Sequence, residues 1–342
     1  MLSAGQAGVR PQAGTAHGRP TLTFILMSIQ VPEMRIAVVG SGAVGCYYGG
    51  KLALSGRDVH FLMRSDLEQV RRRGLRIVSN KEGKLHLQRP QVYARTEDIG
   101  ACDLVLIALK ANDNTPLEQL IPPLLGERTA LLTLQNGLGN EEFLAERFGS
   151  SRVMGGLCFV CLNRTAPGVI EHYAEGRIGL GEFGGWPLPR THDVALMLKH
   201  AGIPCAVVSS LMAERWRKLV WNIPFNGLAI AAGGLDTEAI LKDDSLCYLV
   251  RVLMSEVIGM GRKLGHELSS GMIDDQVCKT RGMGAYRPSS LIDYLAGRPV
   301  EVEAIWGEAV RQGFNAGAEV GRVETLYRLI KSACERRLGD SV

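Results

Sequence analysis

Residues 35–45 read Arg-Ile-Ala-Val-Val-Gly-Ser-Gly-Ala-Val-Gly, and this stretch decides the fold of the first half of the chain. A short β-branched apolar run ends in a Gly-x-Gly-x-x-Gly turn. The helical pattern that follows ends before Gly56, and residues 58–63 form a second apolar run. Strand, glycine turn, helix and strand within about 30 residues are typical of a Rossmann dinucleotide-binding unit.

Each glycine of the turn has its own physical reason. Gly40 permits the tight turn, Gly42 lets the backbone approach a pyrophosphate, and Gly45 lets the helix pack on the strand. The helix N-terminus then offers free N–H groups to the phosphates. We therefore predict that the whole turn binds the cofactor, through Gly40, Ser41, Gly42, Ala43, Val44 and Gly45.

The end of the second strand discriminates between the two nicotinamide dinucleotides. An NAD enzyme usually carries Asp or Glu about 20 residues after the turn, where it binds the ribose hydroxyls. Here that place holds Arg64, whose guanidinium would attract a 2′-phosphate and offer it several donors. We predict NADP(H) as the cofactor. The alternative is a surface arginine, with the acidic Asp66 close by.

Two further apolar runs, 103–110 and 130–136, end in Lys110 and Asn136. Their continuous hydrophobicity is typical of buried parallel strands. Ligands of open α/β sheets bind at the carboxyl ends of the strands, so both side chains are predicted to lie at the cofactor edge. Taken alone, Lys110 is better explained as a solvated strand end, and Asn136 as part of a plain turn.

Length and composition restrict the class of protein. A chain of 342 residues is too long for one ordinary core and indicates two domains. A net charge of +4 suits anionic small molecules but is too weak to indicate nucleic acid. No apolar run reaches the ~18 residues of a membrane span. Eight scattered cysteines indicate reduced thiols in a cytoplasmic protein, and we expect no metal site.

We divide the chain into three segments. Residues 1–33 lack periodicity, then turn apolar, and are predicted to be a disordered extension outside the fold, with a weak signal peptide as the alternative. Residues 34–207 are predicted to form the NADP-binding Rossmann domain. Residues 208–335 are predicted to form an all-α domain with the substrate and catalytic residues. The predicted fold class is therefore α/β followed by all-α.

One helical pattern in the second half places polar groups among apolar ones. Lys218, Asn222 and Asn226 are four residues apart and share one face of a helix. Their neighbours are apolar nearly all round, which predicts a buried helix. Buried polar groups need partners, and a polar ligand in a cleft is one. The alternative is an amphipathic helix with a solvated Lys218.

The segment before the last long helices contains further candidates. Ser290 with Asp293 can form a capping-box pair at a helix start, which is a structural reason for these residues. Pro299 is predicted to open a long helix with Glu301 in its first turn. A carboxylate there is favoured by the helix dipole whether or not it is catalytic.

Several segments in fixed order carry a family resemblance over about residues 34–332. They are the glycine turn with Arg64, the strand ends at Lys110 and Asn136-Gly137, residues 166–182, Arg217-Lys218-Leu219, residues 288–293 and residues 296–301. The glycine turn is generic, but the later segments in this order are specific. The chain resembles the ketopantoate reductase (2-dehydropantoate 2-reductase) family.

The resemblance implies a Rossmann domain followed by a helical domain, with the active site in the cleft between them. It implies NADPH-dependent reduction of ketopantoate to pantoate, a step of pantothenate biosynthesis. In the family, the lysine matching Lys218 donates the proton, and the glutamate matching Glu301 lies by the ketone and the nicotinamide ribose. The residues that match the family's substrate-holding side chains are Asn136, Asn222, Asn226 and Ser289.

The sequence departs from the family pattern at two informative points. Asp236 stands where the family commonly has an asparagine that binds substrate, and we treat it as a substrate contact that bears on specificity. Trp306-Gly307 stands where the family has Asn-Gly. Two alternatives stay open, a paralogue that reduces a different 2-oxo acid or ketone and a non-catalytic NADPH-sensing protein. The row of polar side chains formed by Lys218, Asn222 and Asn226 argues against the sensor.

The expected partners follow from the same features. We expect a small-molecule 2-oxo acid as substrate, a homodimer as a possible assembly, and neither nucleic acid nor a membrane as partner.

Overall fold

The computed structural model describes residues 33–112 and 114–339, and side chains as far as residue 337. Residues 1–32 of the predicted N-terminal extension lie outside the described part of the chain. The strands of the described part are β1 Arg35–Val39, β2 Asp58–Leu62, β3 Leu75–Ser79, β4 Gly83–Leu87, β5 Gln91–Tyr93, β6 Cys102–Ile107, β7 Leu125–Thr133, β8 Val153–Ala166, β9 Val169–Glu182 and β10 Cys205–Val207.

The helices accompany the sheet first and then follow it without interruption by strands. They are α1 Ala43–Leu54, α2 Leu67–Arg73, α3 Leu117–Leu120, α4 Asn140–Phe148, α5 Pro189–His200, α6 Leu211–Ala231, α7 Thr237–Lys242, α8 Asp244–Lys263, α9 Met272–Arg281, α10 Ser289–Leu295, α11 Glu308–Asn315 and α12 Gly321–Gly339. A π-helical turn, Glu303–Gly307, precedes α11, and short 3-10 turns occupy Pro122–Leu124 and Ser150–Arg152.

One sheet contains all the strands that the structure describes. Its order is β4-β3-β9-β8-β7-β6-β1-β2-β5, with β10 paired to β9. The strands from β5 through β2, β1, β6 and β7 to β8 run parallel, and β8 pairs antiparallel with β9. The chain leaves β1 toward β2 on one side and later returns to β6 on the other. The crevice at the carboxyl end of β1 is therefore where such a sheet binds ligands.

Burial on both faces explains why the parallel strands are apolar without interruption. Tyr48 and Leu52 of α1 pack with Val38 and Leu106 on one face. On the other face Leu144 of α4 joins a second apolar cluster with strand residues of β1, β6 and β7. Helices on both sides of a parallel sheet are the expected way to bury such strands.

The described residues after β10 contain only helices, turns and loops. Helix α6 runs through Pro224 without ending, and Leu219, Ile223 and Phe225 on it are almost completely buried. The indole N–H of Trp306 donates to the backbone oxygen of Ile223 at 3.0 Å. The predicted α/β class with a helical C-terminal part is therefore confirmed. Among the helices described, none is both long and apolar enough to cross a bilayer.

Candidate active site

The glycine turn between β1 and α1 has the shape that a dinucleotide needs. Gly40 has a φ of +103°, and a Cβ there would lie 2.4 Å from the backbone nitrogen of Leu109. A Cβ on Gly45 would lie 2.2 Å from the oxygen of Gly40, which shows how closely the helix packs on the turn. A Cβ on Gly42, in contrast, would meet no atom within 4 Å. Open space lies over Gly42, where a pyrophosphate approaches the backbone.

The first turn of α1 leaves room for an anion. Its N-cap is Gly42, so no side chain caps the first helical N–H groups, which include those of Ala43 and Val44. The hydroxyl of Ser41 donates to the backbone oxygen of Leu62 at 2.6 Å and ties the turn to the end of β2. Uncapped N–H groups and the helix dipole favour phosphate at this point. The turn therefore fits the pyrophosphate of a dinucleotide.

The two charged residues after β2 have different surroundings. Asp66 is buried, and both of its carboxylate oxygens accept hydrogen bonds, from Arg164 at 2.8 Å and from the backbone N–H of Gly168 at 3.1 Å. Ser65 also donates to Asp66 at 2.9 Å. Arg64 is exposed, and its guanidinium has no ion-pair partner within the described residues. The carboxylate of Asp66 is thus occupied by Arg164 and by the turn between β8 and β9, while the guanidinium of Arg64 is unpaired among the described residues.

Lys218 lies where α6 meets the sheet. Its ammonium nitrogen donates to Oδ1 of Asn136 at 2.8 Å and to the backbone oxygen of Cys158 at 2.9 Å. The nitrogen also lies 5.5 Å from the ring centre of Phe159. Burial lowers the pKa of Lys218 to about 8. The negative charge of Glu301 opposes that shift without cancelling it.

Glu301 is held at the end of β6 by the chain that follows this strand. Its Oε1 accepts from the backbone N–H of Ala111 at 2.9 Å, and its Oε2 lies 3.8 Å from Nζ of Lys110. The predicted place in the first turn of a helix is wrong, because Glu301 precedes the π-helical turn and lies outside it. The carboxylate instead reaches across to the sheet.

Lys110 makes a closer contact with the helical half. Its Nζ donates to Oδ2 of Asp293 at 2.5 Å, and Oδ1 of Asp293 accepts from Arg298 at 2.9 Å. Burial alone would lower the pKa of Lys110, but the charges of Glu301 and Asp293 raise it. The predicted capping box of Ser290 with Asp293 is therefore wrong, because two cations occupy the carboxylate of Asp293.

The loop after β7 is fixed against the π-helical turn. Gly137 has a φ of +82°, and a Cβ there would lie 2.3 Å from the backbone oxygen of Ala304. The N–H of Leu138 donates to that same oxygen at 2.9 Å. The side chain of Asn140 donates to the backbone oxygen of Asn136 at 2.9 Å. These contacts hold Asn136 at the junction of the sheet and the helices.

Asn222 and Asn226 lie on α6 in the predicted spacing but have different surroundings. Asn226 is 2% exposed, its Oδ1 accepts from the backbone N–H of Ser290 at 3.1 Å, and its Nδ2 donates to the backbone oxygen of Asn222 at 3.0 Å. Asn226 therefore caps α10 from another helix, and Ser289 opens α10 as an exposed residue. The side chain of Asn222 is half-buried, and the described residues offer it no hydrogen bond.

Asp236 has a structural reason of its own. It is the N-cap of α7, and its Oδ1 accepts from the backbone N–H of Ala239 at 2.9 Å. Asp and Asn are about equally good at this place. The departure from the family's asparagine therefore preserves the helix cap.

Two residues that shape the site, Arg215 and Phe159, had no recognisable signal in the sequence. The guanidinium of Arg215, one turn before Lys218, donates to the backbone oxygen of Gln135 at 2.7 Å and to Glu141 at 2.9 Å, and both charged side chains are buried. Phe159 presents its ring to the ammonium of Lys218. Only the buried character of α6 hinted that a charge there needs a partner.

No cluster that could hold a metal ion occurs within residues 33–112 and 114–339. All eight cysteines, including the Cys158-x-x-Cys161 pair, are free thiols. The glycine turn, its free N–H groups and a half-buried lysine of lowered pKa thus define the class of protein. It is a dinucleotide-dependent oxidoreductase with a Rossmann-like first half and a helical second half.

Comparison with known proteins narrows the class to a family. Residues 36–185 match the family model for ketopantoate reductase PanE/ApbA, and residues 210–333 match the model for its C-terminal part. The chain belongs to the ketopantoate reductase family. The resemblance expected from the sequence is thereby confirmed.

Individual relatives agree with the family models. A 2-dehydropantoate 2-reductase of Nostoc sp. is 38% identical over 304 residues, which are 87% of this chain and 95% of the relative. The crystal structure of a 2-dehydropantoate 2-reductase from Geobacter metallireducens is 44% identical with a TM-score of 0.85, over 87% of this chain and 99% of that one. A structure from Methylococcus capsulatus with the same name is 33% identical with a TM-score of 0.83, over 89% and 97%.

Proposed function

We propose that the protein reduces the ketone of 2-dehydropantoate to pantoate with NADPH. The observation that carries the proposal is the half-buried Lys218, whose ammonium group is held by Asn136 and Cys158 where the helices meet the sheet that carries the glycine turn. The names of its relatives and its membership of the family support the substrate.

Residues of the first half would hold the cofactor. The open backbone at Gly42 and the uncapped start of α1 suit the pyrophosphate, and Arg64 suits the 2′-phosphate of NADPH. Because both oxygens of Asp66 already accept hydrogen bonds, this acid does not compete with that phosphate for the guanidinium of Arg64. When bound, NADPH supplies the hydride for the substrate carbon.

Lys218 has one N–H left for the substrate. An ammonium group has three donors, and Asn136 and Cys158 take two of them. The third can donate to the substrate ketone and pass a proton to its oxygen as the hydride arrives. A pKa of about 8 keeps the lysine protonated at neutral pH but makes it a better acid than an ordinary lysine.

Glu301 serves as the acidic counterpart of Lys218. Its Oε1 is fixed by the N–H of Ala111, so its charge has a defined place. That charge favours the protonated form of Lys218 before the reaction. A bound ketone and the nicotinamide ribose would lie beside this carboxylate, as the family resemblance implies.

The remaining polar groups would hold the substrate. The side chain of Asn222 has no described hydrogen bond, and one N–H of Asn226 remains after its bond to the oxygen of Asn222. Ser289 presents an exposed hydroxyl at the start of α10. We assign these three side chains to the hydroxyl and carboxylate groups of the substrate. Asp236 would contact the substrate through its second carboxylate oxygen, because the first caps α7.

Asp236 also supports the second candidate, a family member that acts on another 2-oxo acid or ketone. A carboxylate in the place of an amide replaces a hydrogen-bond donor by a charged acceptor. Since the cap accounts for this residue without any change of substrate, ketopantoate remains the first choice.

Mixing the enzyme and NADPH with a panel of 2-oxo acids tests the proposal. Loss of the absorbance of the reduced nicotinamide should be fastest with ketopantoate. Faster loss with another 2-oxo acid or ketone would favour the second candidate. Binding of NADPH without oxidation by any member of the panel would contradict both and indicate a sensor.

Two further proposals accompany this function. NADPH use and eight free cysteines support a cytoplasmic location. A homodimer stays a prediction, and light scattering of the purified protein would check it.

A further inference from the structure

Arg177 of β9 is an arginine without an acidic partner next to the candidate catalytic lysine. It is exposed, and no carboxylate in the described part of the chain lies within ion-pair distance of it. Elsewhere on β9, in contrast, Glu182 pairs with Arg190. An unpaired guanidinium beside an active site is available for an anionic ligand.

The place of Arg177 is fixed by the aromatic ring of Phe159. The two residues are directly opposite each other on β9 and β8, so they share one face of the sheet. The guanidinium carbon lies 3.6 Å from the ring centre, which is close stacking. A stacked guanidinium uses its flat face for the ring and keeps its N–H groups, which lie in the plane, for other partners.

The same ring also faces Lys218. The ammonium nitrogen of Lys218 is 5.5 Å from the centre of the Phe159 ring. Because the guanidinium of Arg177 stacks on the same ring, the charged groups of Lys218 and Arg177 are close neighbours. Arg177 is one of the charges that lower the pKa of Lys218, which agrees with this proximity. Both cations therefore lie close to one aromatic ring where α6 meets the sheet.

A 2-oxo acid has the shape that this pair can bind. Its carboxylate is bonded directly to the ketone carbon, so a ketone oxygen at Lys218 places the carboxylate in the same region. A guanidinium matches a carboxylate with two parallel hydrogen bonds, which an ammonium or a hydroxyl cannot provide.

We propose that Arg177 binds the carboxylate of the substrate and makes the enzyme selective for 2-oxo acids over neutral ketones. This inference rests on the proposed function, because it assumes that a 2-oxo acid is reduced at Lys218. It adds a residue to Asn136, Asn222, Asn226 and Ser289, the side chains that the family resemblance assigns to the substrate. The ring of Phe159 acts as the platform that holds the guanidinium.

The test compares ketopantoate with its methyl ester, which keeps the ketone but lacks the charge. For Arg177→Gln, KM for the acid should rise about 10- to 100-fold, the effect of a lost charge-assisted hydrogen bond. KM for the ester and the Kd of NADPH should change less than about threefold, because neither needs the guanidinium. Arg177→Lys keeps the charge but lacks the forked donors of a guanidinium, so its KM for the acid should lie between those of the wild type and Arg177→Gln.

A matched control removes an equal charge far from the cleft. Arg72 is exposed on α2, and Arg72→Gln should leave both KM values unchanged. An equal rise of KM for acid and ester in Arg177→Gln, or no rise for the acid, would overturn the inference while wild-type turnover upholds the proposed function. Absence of wild-type turnover with any 2-oxo acid would contradict the function and the inference together.

Discussion

The ammonium group of Lys218 donates a hydrogen bond to Oδ1 of Asn136 at 2.8 Å, and this bond joins helix α6 to the chain that leaves strand β7. The two residues are 82 positions apart in the sequence. Their contact places the proposed proton donor of the helical half at the edge of the sheet where the glycine turn lies. The proposed catalysis depends on that junction.

Cofactor preference can be tested at Arg64. Arg64→Ala should weaken binding of NADPH by about 1.5–3 kcal/mol, the scale of hydrogen bonds to a charged group, and leave NADH almost unaffected. Fluorescence titration of both cofactors gives the two Kd values. Arg72→Ala, which removes an exposed charge on α2, is the control. Equal losses for NADPH and NADH would show that Arg64 does not contact the 2′-phosphate.

Variants of Asp236 distinguish between two roles of this residue, as a helix cap and as a determinant of substrate specificity. Asp236→Asn should keep the free energy of unfolding within about 0.5 kcal/mol, whereas Asp236→Ala should lose about 1 kcal/mol, because only the first keeps an N-cap acceptor. Denaturant titration measures both. Turnover of ketopantoate by Asp236→Asn should stay within about threefold of the wild type. A large gain in turnover would instead identify Asp236 as the residue that selects another substrate.

The buried pair of Arg215 and Glu141 should dominate the stability of the junction. Arg215→Ala leaves the carboxylate of Glu141 buried without its cation and should lower the free energy of unfolding by about 3–5 kcal/mol. Arg217→Ala, two residues away, breaks a half-exposed pair with Glu214 and should cost less than about 1 kcal/mol. If urea titrations show a similar decrease in the free energy of unfolding for both variants, the buried pair does not dominate the stability of the junction.

The pH dependence of the two reaction directions follows from the pKa of Lys218. Reduction needs the protonated lysine, so kcat/KM for the ketone should be level below pH 8 and fall about tenfold per pH unit above it. Oxidation of pantoate needs the neutral lysine and should rise through the same pH. Rate profiles in both directions are the measurement. If the rates of both directions change in the same sense through pH 8, Lys218 is not the titrating group.

Local patterns predicted the first half of the chain well. The glycine turn, its strands and its helix depend on residues close in sequence, and Gly40 and Gly45 have the close approaches that the motif requires. The apolar run before Lys110 gave the strand β6, although β6 ends at Ile107. Short-range sterics and burial determine these features, so the sequence alone reveals them.

Long-range contacts account for what the sequence did not show. A local capping box was predicted for Asp293, but Lys110, 183 residues away, takes its carboxylate, and Asn226 of α6 caps α10 instead. The partner of Arg215 lies 74 residues earlier on α4. Tertiary ion pairs and caps of this kind leave no periodic pattern, so neither the electrostatics of the site nor the stacked Arg177 could be predicted.

Steady-state turnover of Lys218→Ala, measured together with NADPH titration of the same variant, decides whether Lys218 is the proton donor. A positioned acid contributes about 10²- to 10⁴-fold, so kcat for ketopantoate should fall by that factor. The Kd of NADPH should stay near the wild-type value, because the glycine turn and Arg64 lie on the other half of the chain. Lys218→Arg should not restore turnover, since a guanidinium does not release its proton. Near-normal kcat in Lys218→Ala would contradict the account and move the role of proton donor to Lys110.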